Sequence, residues 1–193
     1  MGIKNSRNKW DAIYEQQDFL NVTASDVLIQ NTHLLPKKGK ALDLASGLGG
    51  NAILLAKNNL DVEAWDISEQ ALKKLKHFSD LNELAIEVVL RDVEKQPPQE
   101  NTFDVIVVSH FLHRPTFPAL LASLKSKGLL FYQTFIKDKV VEIGPSNPDY
   151  LLDKNELLRL CQELEILTYR EEGKQGDTHK GWRNQAMVVV KKS

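Results

Sequence analysis

At 193 residues, with 42% apolar and 26% charged side chains, the chain is sized for one domain with a sizeable core. A net charge of −1 gives no overall attraction for phosphate backbones or anionic lipid, so neither nucleic acid nor a membrane is the expected partner. No apolar run is long enough to span a bilayer, and Cys161, the one cysteine, has no internal disulfide partner, which fits a cytoplasmic protein. Met1 to Ser6 match the bare N-myristoylation pattern, but no second membrane signal accompanies them.

In chain order, Ser6 to Asn31 read as helical. Trp10, Ile13, Tyr14 and Gln17 share one face, as a docking surface would, and Ser25 is a fair N-cap for Asp26–Gln30. Pro36 and Gly39 close this lead-in. Ala41 to Ala45 then form a short buried strand, followed by a turn bearing Gly47, Gly49 and Gly50 and a helix over 52–57. Further strands are expected at Asp61–Asp66, Ile86–Leu90, Phe103–Val108 and Gly128–Phe135, with helices over Ser68–Phe78 and Arg114–Lys127 between them. Strands alternating with helices of this length imply βαβ units and a parallel sheet.

The last third changes pattern. Residues 136–152 are irregular, and a helix starts at Asp153 with Glu156 completing a capping box. Cys161 falls in that helix as a packed thiol. Glu165–Arg170 and Gln185–Val190 follow without an intervening helix, so they pair antiparallel as a hairpin.

A ligand in an open α/β sheet sits beyond the carboxyl ends of the strands, where strand order reverses. The ends that matter are Ala45-Ser46, Asp66, Arg91-Asp92 and Ser109-His110. A glycine turn running into a helix offers free backbone N–H groups and close backbone approach. Gly47-x-Gly49-x-x-Ala52 also satisfies the loose dinucleotide fingerprint, so a nicotinamide-dependent oxidoreductase is one reading. Asp43, four residues before Gly47, would repel a pyrophosphate and suits a ligand carrying an ammonium or sulfonium. Asp66 and Asp92 at the next two strand ends fit an adenosine, held at sugar and base.

Leu42-Asp43-Leu44-Ala45-Ser46-Gly47-Leu48-Gly49, with Asp66, Asp92 and Phe103–Val108, resembles the class I S-adenosylmethionine (SAM)-dependent methyltransferases. Within them, Gly49-Gly50-Asn51-Ala52, Leu55-Ala56 and Trp65-Asp66-Ile67-Ser68 resemble the tellurite-resistance-type branch. The resemblance implies a three-layer αβα, doubly wound, mostly parallel seven-stranded sheet with its last strand antiparallel. It implies that Asp43 holds the methionine amino group, Asp66 the ribose hydroxyls and Asp92 the adenine amine, with the Val93 N–H nearby and Ile67 packed on adenine. Gly47 and Gly49 would let the backbone approach, Ala45 and Ser46 would stand where the family often has Gly-Cys, Ser109 would border the methionine portion, and Asn51 is a further cofactor-binding candidate. A family member that binds SAM without turnover is a further reading.

Methyl transfer from a sulfonium needs proximity and, for a protic acceptor, a base. The acceptor is expected to be a small molecule or soft anion. His110, His113 and Arg114, just after the fourth strand, are the candidates for base or anion clamp, although hydrogen-bonded residues at a helix entry would look the same. No cysteine or carboxylate cluster supports a metal there. Asn147-Pro148-Asp149-Tyr150 reads as a proline turn, and the loops 136–152 and 173–183 are expected to form a lid. The oligomeric state expected is monomer or homodimer.

Overall fold

Five apolar segments form parallel strands: β1 (Lys40–Leu44), β2 (Asp61–Asp66), β3 (Ile86–Leu90), β4 (Phe103–Ser109) and β5 (Leu124–Phe135). The structure is a computed structural model that describes residues 3–17, 19 and 22–193. Met1 and Gly2 of the myristoylation pattern, and positions 18, 20 and 21 of the helical lead-in, lie outside the described residues. Two further strands, β6 (Glu165–Arg170) and β7 (Gln185–Lys191), complete a seven-stranded sheet of order β3-β2-β1-β4-β5-β7-β6. β7 slots between β5 and β6 and runs antiparallel to both. The expected doubly wound architecture and the antiparallel hairpin are both present.

Side chains alternate across each strand, which fixes what every strand end presents. Leu42, Leu44, Ile106, Val108, Leu130, Tyr132, Val188 and Val190 face α5 (Phe117–Ser123) and α6 (Glu156–Leu160). Ala41, Val105, Val107, Phe131, Met187 and Val189 face α2 (Asp26–Gln30), α3 (Gly50–Lys57) and α4 (Glu69–Leu81). Leu55 of α3 and Leu75 of α4 are wholly buried there, each burial contributing about 2 kcal/mol of hydrophobic stabilisation. By the same alternation Asp43, Ser109, Gln133 and Gln185 fall on the α2/α3 side. Strand order reverses between β1 and β4, so the crevice over their carboxyl ends lies on that side too.

Three details depart from expectation: the extent of the helix after β4, the side-chain cap at Ser25 and the capping box of α6. The helix predicted over 114–127 is a 3-10 turn (Arg114–Thr116) followed by α5, which ends at Ser123. Its last carbonyls are claimed by tertiary donors: Asn101 N–H takes Ala122 O, Thr102 N–H takes Ser123 O, and Lys192 Nζ takes Ala122 O. Leu124 then pairs with Phe103 in the sheet. In the lead-in, α1 (Ile3–Gln16) is followed by α2 with Ser25 at its N-cap position as expected, but Ser25 makes no side-chain cap because its hydroxyl turns to Asn51. At α6 only half of the capping box forms. Glu156 Oε2 accepts from Asp153 N–H at 2.7 Å, but Asn155, in the left-handed region, is the N-cap.

Candidate cofactor and acceptor site

The glycine turn is held in shape by the strands it joins. Ser46 N–H donates to Trp65 O of β2 at 3.0 Å, and Gly49 N–H donates to Ser46 O at 2.8 Å. All three glycines of the turn are sterically required, Gly49 with φ 79° and a Cβ that would lie 2.4 Å from the buried Leu75 side chain. Gly47 has φ 53° and a Cβ on it would lie 2.6 Å from the Tyr14 hydroxyl; a Cβ on Gly50 would lie 2.1 Å from Thr23 O. Ala45 takes a left-handed φ of 57° without being glycine, a conformation found at functional turns. The Ser46 Oγ is buried and finds no hydrogen-bond partner among the described residues.

Two buried carboxylates flank this turn. Asp43, with no exposed surface, accepts from Ala52 N–H at 2.9 Å and from Asn51 Nδ2 at 3.2 Å. Asp66 accepts from Gly47 N–H at 2.7 Å and from Ser68 N–H at 2.8 Å, so it braces the turn and starts α4. Burial disfavours their charged forms: it raises Asp43 to about 7 against its hydrogen bonds, and raises Asp66 in the same direction. Asn51 is the hub between strands. Its Oδ1 accepts from the N–H and hydroxyl of Ser25, each at 2.8 Å, and its Nδ2 also reaches Ser109 Oγ at 3.1 Å.

The lead-in forms a roof over the turn. Asp11 Oδ1 accepts from Ser68 Oγ at 2.6 Å and Gln70 N–H at 3.1 Å, while Arg7 pairs with Glu69. Lys74 Nζ donates to the carbonyls of Tyr14, Glu15 and Gln17, clamping the end of α1 to α4. Tyr14 is thereby set beside the two acids. Burial first, then the charges of Asp66 and Asp43, push its phenol well above the usual tyrosine range. The Trp10 and Tyr14 rings stack on each other, 5.8 Å apart, but Trp10 is exposed, and of the pair it is Tyr14 that packs against the Gly47 turn.

Beyond Ser109 lies a cleft of about 200 Å3 lined by Thr23, Ala24, Ser25, Asp26, Ser109, His110, Gln133 and Gln185. His110 has φ 57°, donates its N–H to Gln133 O at 2.9 Å and lies against the Phe135 ring. His110 is solvent-exposed on one side, and partial desolvation by its surroundings lowers its pKa, against the opposing pull of Gln185 and Asp26, which favours the neutral ring.

The sequence profile described as "Tellurite resistance protein TehB" matches residues 7–192. The chain belongs to the TehB family. Its fold is similar to that of TehB from Haemophilus influenzae, with 22% identity, a TM-score of 0.74 and coverage of 95% of this chain and 67% of that one. It is also similar to a SAM-dependent methyltransferase from Aquifex aeolicus, with 18% identity, a TM-score of 0.67 and full coverage of both chains. A curated relative, "Putative methyltransferase YqeM" of Bacillus subtilis (strain 168), is 27% identical over 125 residues, 58% of this chain. The chain thus matches about half, 49%, of the length of that curated relative.

In this TehB-family chain the remaining sequence candidates are dispersed. Asp92, beyond β3, accepts from Glu94 N–H at 3.2 Å and stays partly exposed; Val93 beside it is buried. Ile67, between Asp66 and Ser68, is half-buried. His113 bonds Thr116 Oγ1 at 2.5 Å and borders an apolar hollow on the α5 face, so it does not meet His110. Arg114 is committed to structure. It is bidentate to Glu156 at 2.6 and 2.9 Å and donates to Asp149 O and Leu151 O, which leaves no free fork for an anion clamp. No group of three or more His, Cys, Asp or Glu placed to hold a metal occurs among the described residues, and no helix there is long and apolar enough to cross a membrane. Tyr14, Gln133 and Gln185 were not among the sequence candidates. A glutamine inside a mostly apolar strand such as Leu129–Phe135 was the available signal for Gln133.

Proposed function

We propose that this chain is a cytoplasmic, single-domain SAM-dependent methyltransferase, monomeric or homodimeric, acting on a small acceptor. The observation that carries the reading is the pair of buried carboxylates, Asp43 and Asp66, on either side of a turn whose Ser46 hydroxyl is buried with no partner among the described residues. Each carboxylate has spare lone pairs after its two N–H contacts, so a cation and a diol are the groups that fit. Asp43 would hold the methionine ammonium and Asp66 the ribose hydroxyls. Asp92 and the Val93 N–H would take the adenine edge, with Ile67 against its face. Ala45, Ser46, Gly47 and Gly49 would supply the close backbone, and Asn51 and Ser109 would border the methionine.

When bound, SAM supplies a methyl on a sulfonium, which departs as a neutral thioether. The chain's own work is then to orient the acceptor, exclude water under the lead-in roof, and hold a proton. Among the described residues the cleft is lined by hydroxyls, amides, one carboxylate and an imidazole, with no lysine or arginine. That lining favours a neutral, protic acceptor over a soft anion. His110 would take its proton. Arg114 instead fastens the 137–155 loop.

Calorimetry tests the donor assignment. SAM and its demethylated product should bind in the micromolar range, and Asp66→Ala should weaken both by about tenfold or more, the loss expected for a charge-assisted contact. Absence of binding by either ligand would overturn the reading.

A further inference from the structure

Two glutamines stand at paired ends of β5 and β7, beside the mostly apolar stretches Leu129–Tyr132 and Ala186–Val190. Gln133 is only 2% exposed, and its contacts leave one orientation of each amide. The Val27 backbone N–H can only donate, and it meets Gln133 Oε1 at 2.7 Å. The other end of that amide is therefore Nε2, which donates to Gln185 Oε1 at 2.7 Å. Gln185 thus turns its carbonyl oxygen to the cleft, where it lies 3.2 Å from His110 Nε2. A carbonyl oxygen only accepts, so His110 Nε2 must carry the proton, and the acceptor nitrogen of the neutral ring is Nδ1. Among the described residues nothing is hydrogen-bonded to Nδ1.

We propose that Gln133 and Gln185 are positioning residues that lock neutral His110 as the Nε2–H tautomer, keeping Nδ1 as the proton acceptor for a neutral substrate in the cleft. The tautomer follows from the contacts alone; its use as a base rests on the methyl-transfer reading. Gln133 does double duty, since its backbone carbonyl also accepts the His110 N–H and its neighbour Phe135 lies 5.1 Å from the imidazole, centroid to centroid. As the acceptor heteroatom takes the methyl, its proton passes to Nδ1. The imidazolium so formed still donates from Nε2 to Gln185 Oε1, so the same carbonyl serves both protonation states. The charged group that faces the ring is Asp26 on α2, whose effect is to favour that imidazolium.

Long-range proton–nitrogen correlation spectra of 15N-labelled, cofactor-free protein read the tautomer directly, with His110 assigned by its loss in His110→Gln. Wild type above the His110 pKa should show a protonated Nε2 and a bare Nδ1. Gln133→Glu should invert the pair. One carboxylate oxygen accepts from Val27 N–H, the other faces Gln185, and Gln185 must flip to offer Nε2–H to both the carboxylate and the imidazole. Turnover should then fall by roughly 100-fold, the scale of losing a positioned base. A wild-type ring protonated at Nδ1, or unchanged His110 nitrogen shifts in folded Gln133→Glu, would overturn the proposal. Should Gln133→Glu not fold, Gln185→Glu provides the second arm. It keeps the tautomer and should raise the His110 titration midpoint, and an unmoved midpoint would equally refute the relay. Because these readouts need no cofactor, the predicted tautomer in a protein that transfers no methyl leaves the relay standing and removes the base role together with the methyltransferase reading.

Discussion

Asp43 is the residue whose chemistry is most sensitive to conditions. Burial raises its pKa from 3.8 to about 7, so the native state holds this proton more tightly than the unfolded chain does. The sign follows. Stability from this group is greatest below the unfolded value and declines as pH rises from about 4 towards 7, with a limiting slope of ~1.4 kcal/mol per pH unit. A cationic ligand reverses the preference by favouring the carboxylate. SAM binding should therefore release a proton and tighten between pH 5 and pH 7, by up to about tenfold per unit, while the ligand's amine stays charged. Calorimetry in buffers of different ionisation enthalpy counts that proton, and Asp43→Asn should abolish the pH dependence. Much of this was legible in the sequence. An acid at the end of a buried strand, followed by glycines, is a local pattern, and Asp43, Asp66 and the turn lie together as that pattern implies. Tyr14, Gln133 and Gln185 were not legible as a site, because they reach it through long-range packing of α1 on α4 and through the register of β5 against β7.

At the scale of elements, the sequence located strands and helices well where hydrophobic period alone decides them. It erred where tertiary hydrogen bonds do. The α5 helix stops at Ser123 because residues 101–102 and Lys192 take its carbonyls, a competition invisible to helix propensity. Arg114 looked available for substrate, yet its partners Asp149, Leu151 and Glu156 lie at least 35 residues downstream. It works as a staple that closes the 137–155 loop onto the 3-10 turn after β4. Arg114→Leu should lower stability by about 1–2 kcal/mol, a value discounted for its partial exposure, and should expose the loop to proteolysis. Thermal melts and the cleavage pattern check both. The loops proposed as a lid already touch. Lys174 N–H donates to Asp138 Oδ2, and Asn184, just past the second loop, accepts at Oδ1 from Val140 and Val141 N–H. Deleting residues 174–181 should lower catalytic efficiency on the true acceptor while leaving SAM affinity intact; unchanged efficiency would remove the lid.

For the whole molecule, the sheet order brings the acids of β1 and β2, the hydroxyl of β4 and the glutamines of β5 and β7 to one crevice at the switch point. The lead-in segment roofs it through α1 on α4 and through Ser25 and Val27 on Asn51 and Gln133. The buried acids and the cleft beside His110 are thus neighbours joined by Asn51 and Ser109, the arrangement that the proposed in-line transfer requires. A crystal structure of the protein with demethylated SAM tests this account most directly. It should show the ribose hydroxyls on Asp66, the methionine ammonium towards Asp43 and Asn51, and the sulfur facing the cleft that holds His110. A ligand bound away from the glycine turn, or with its sulfur turned from that cleft, would contradict it.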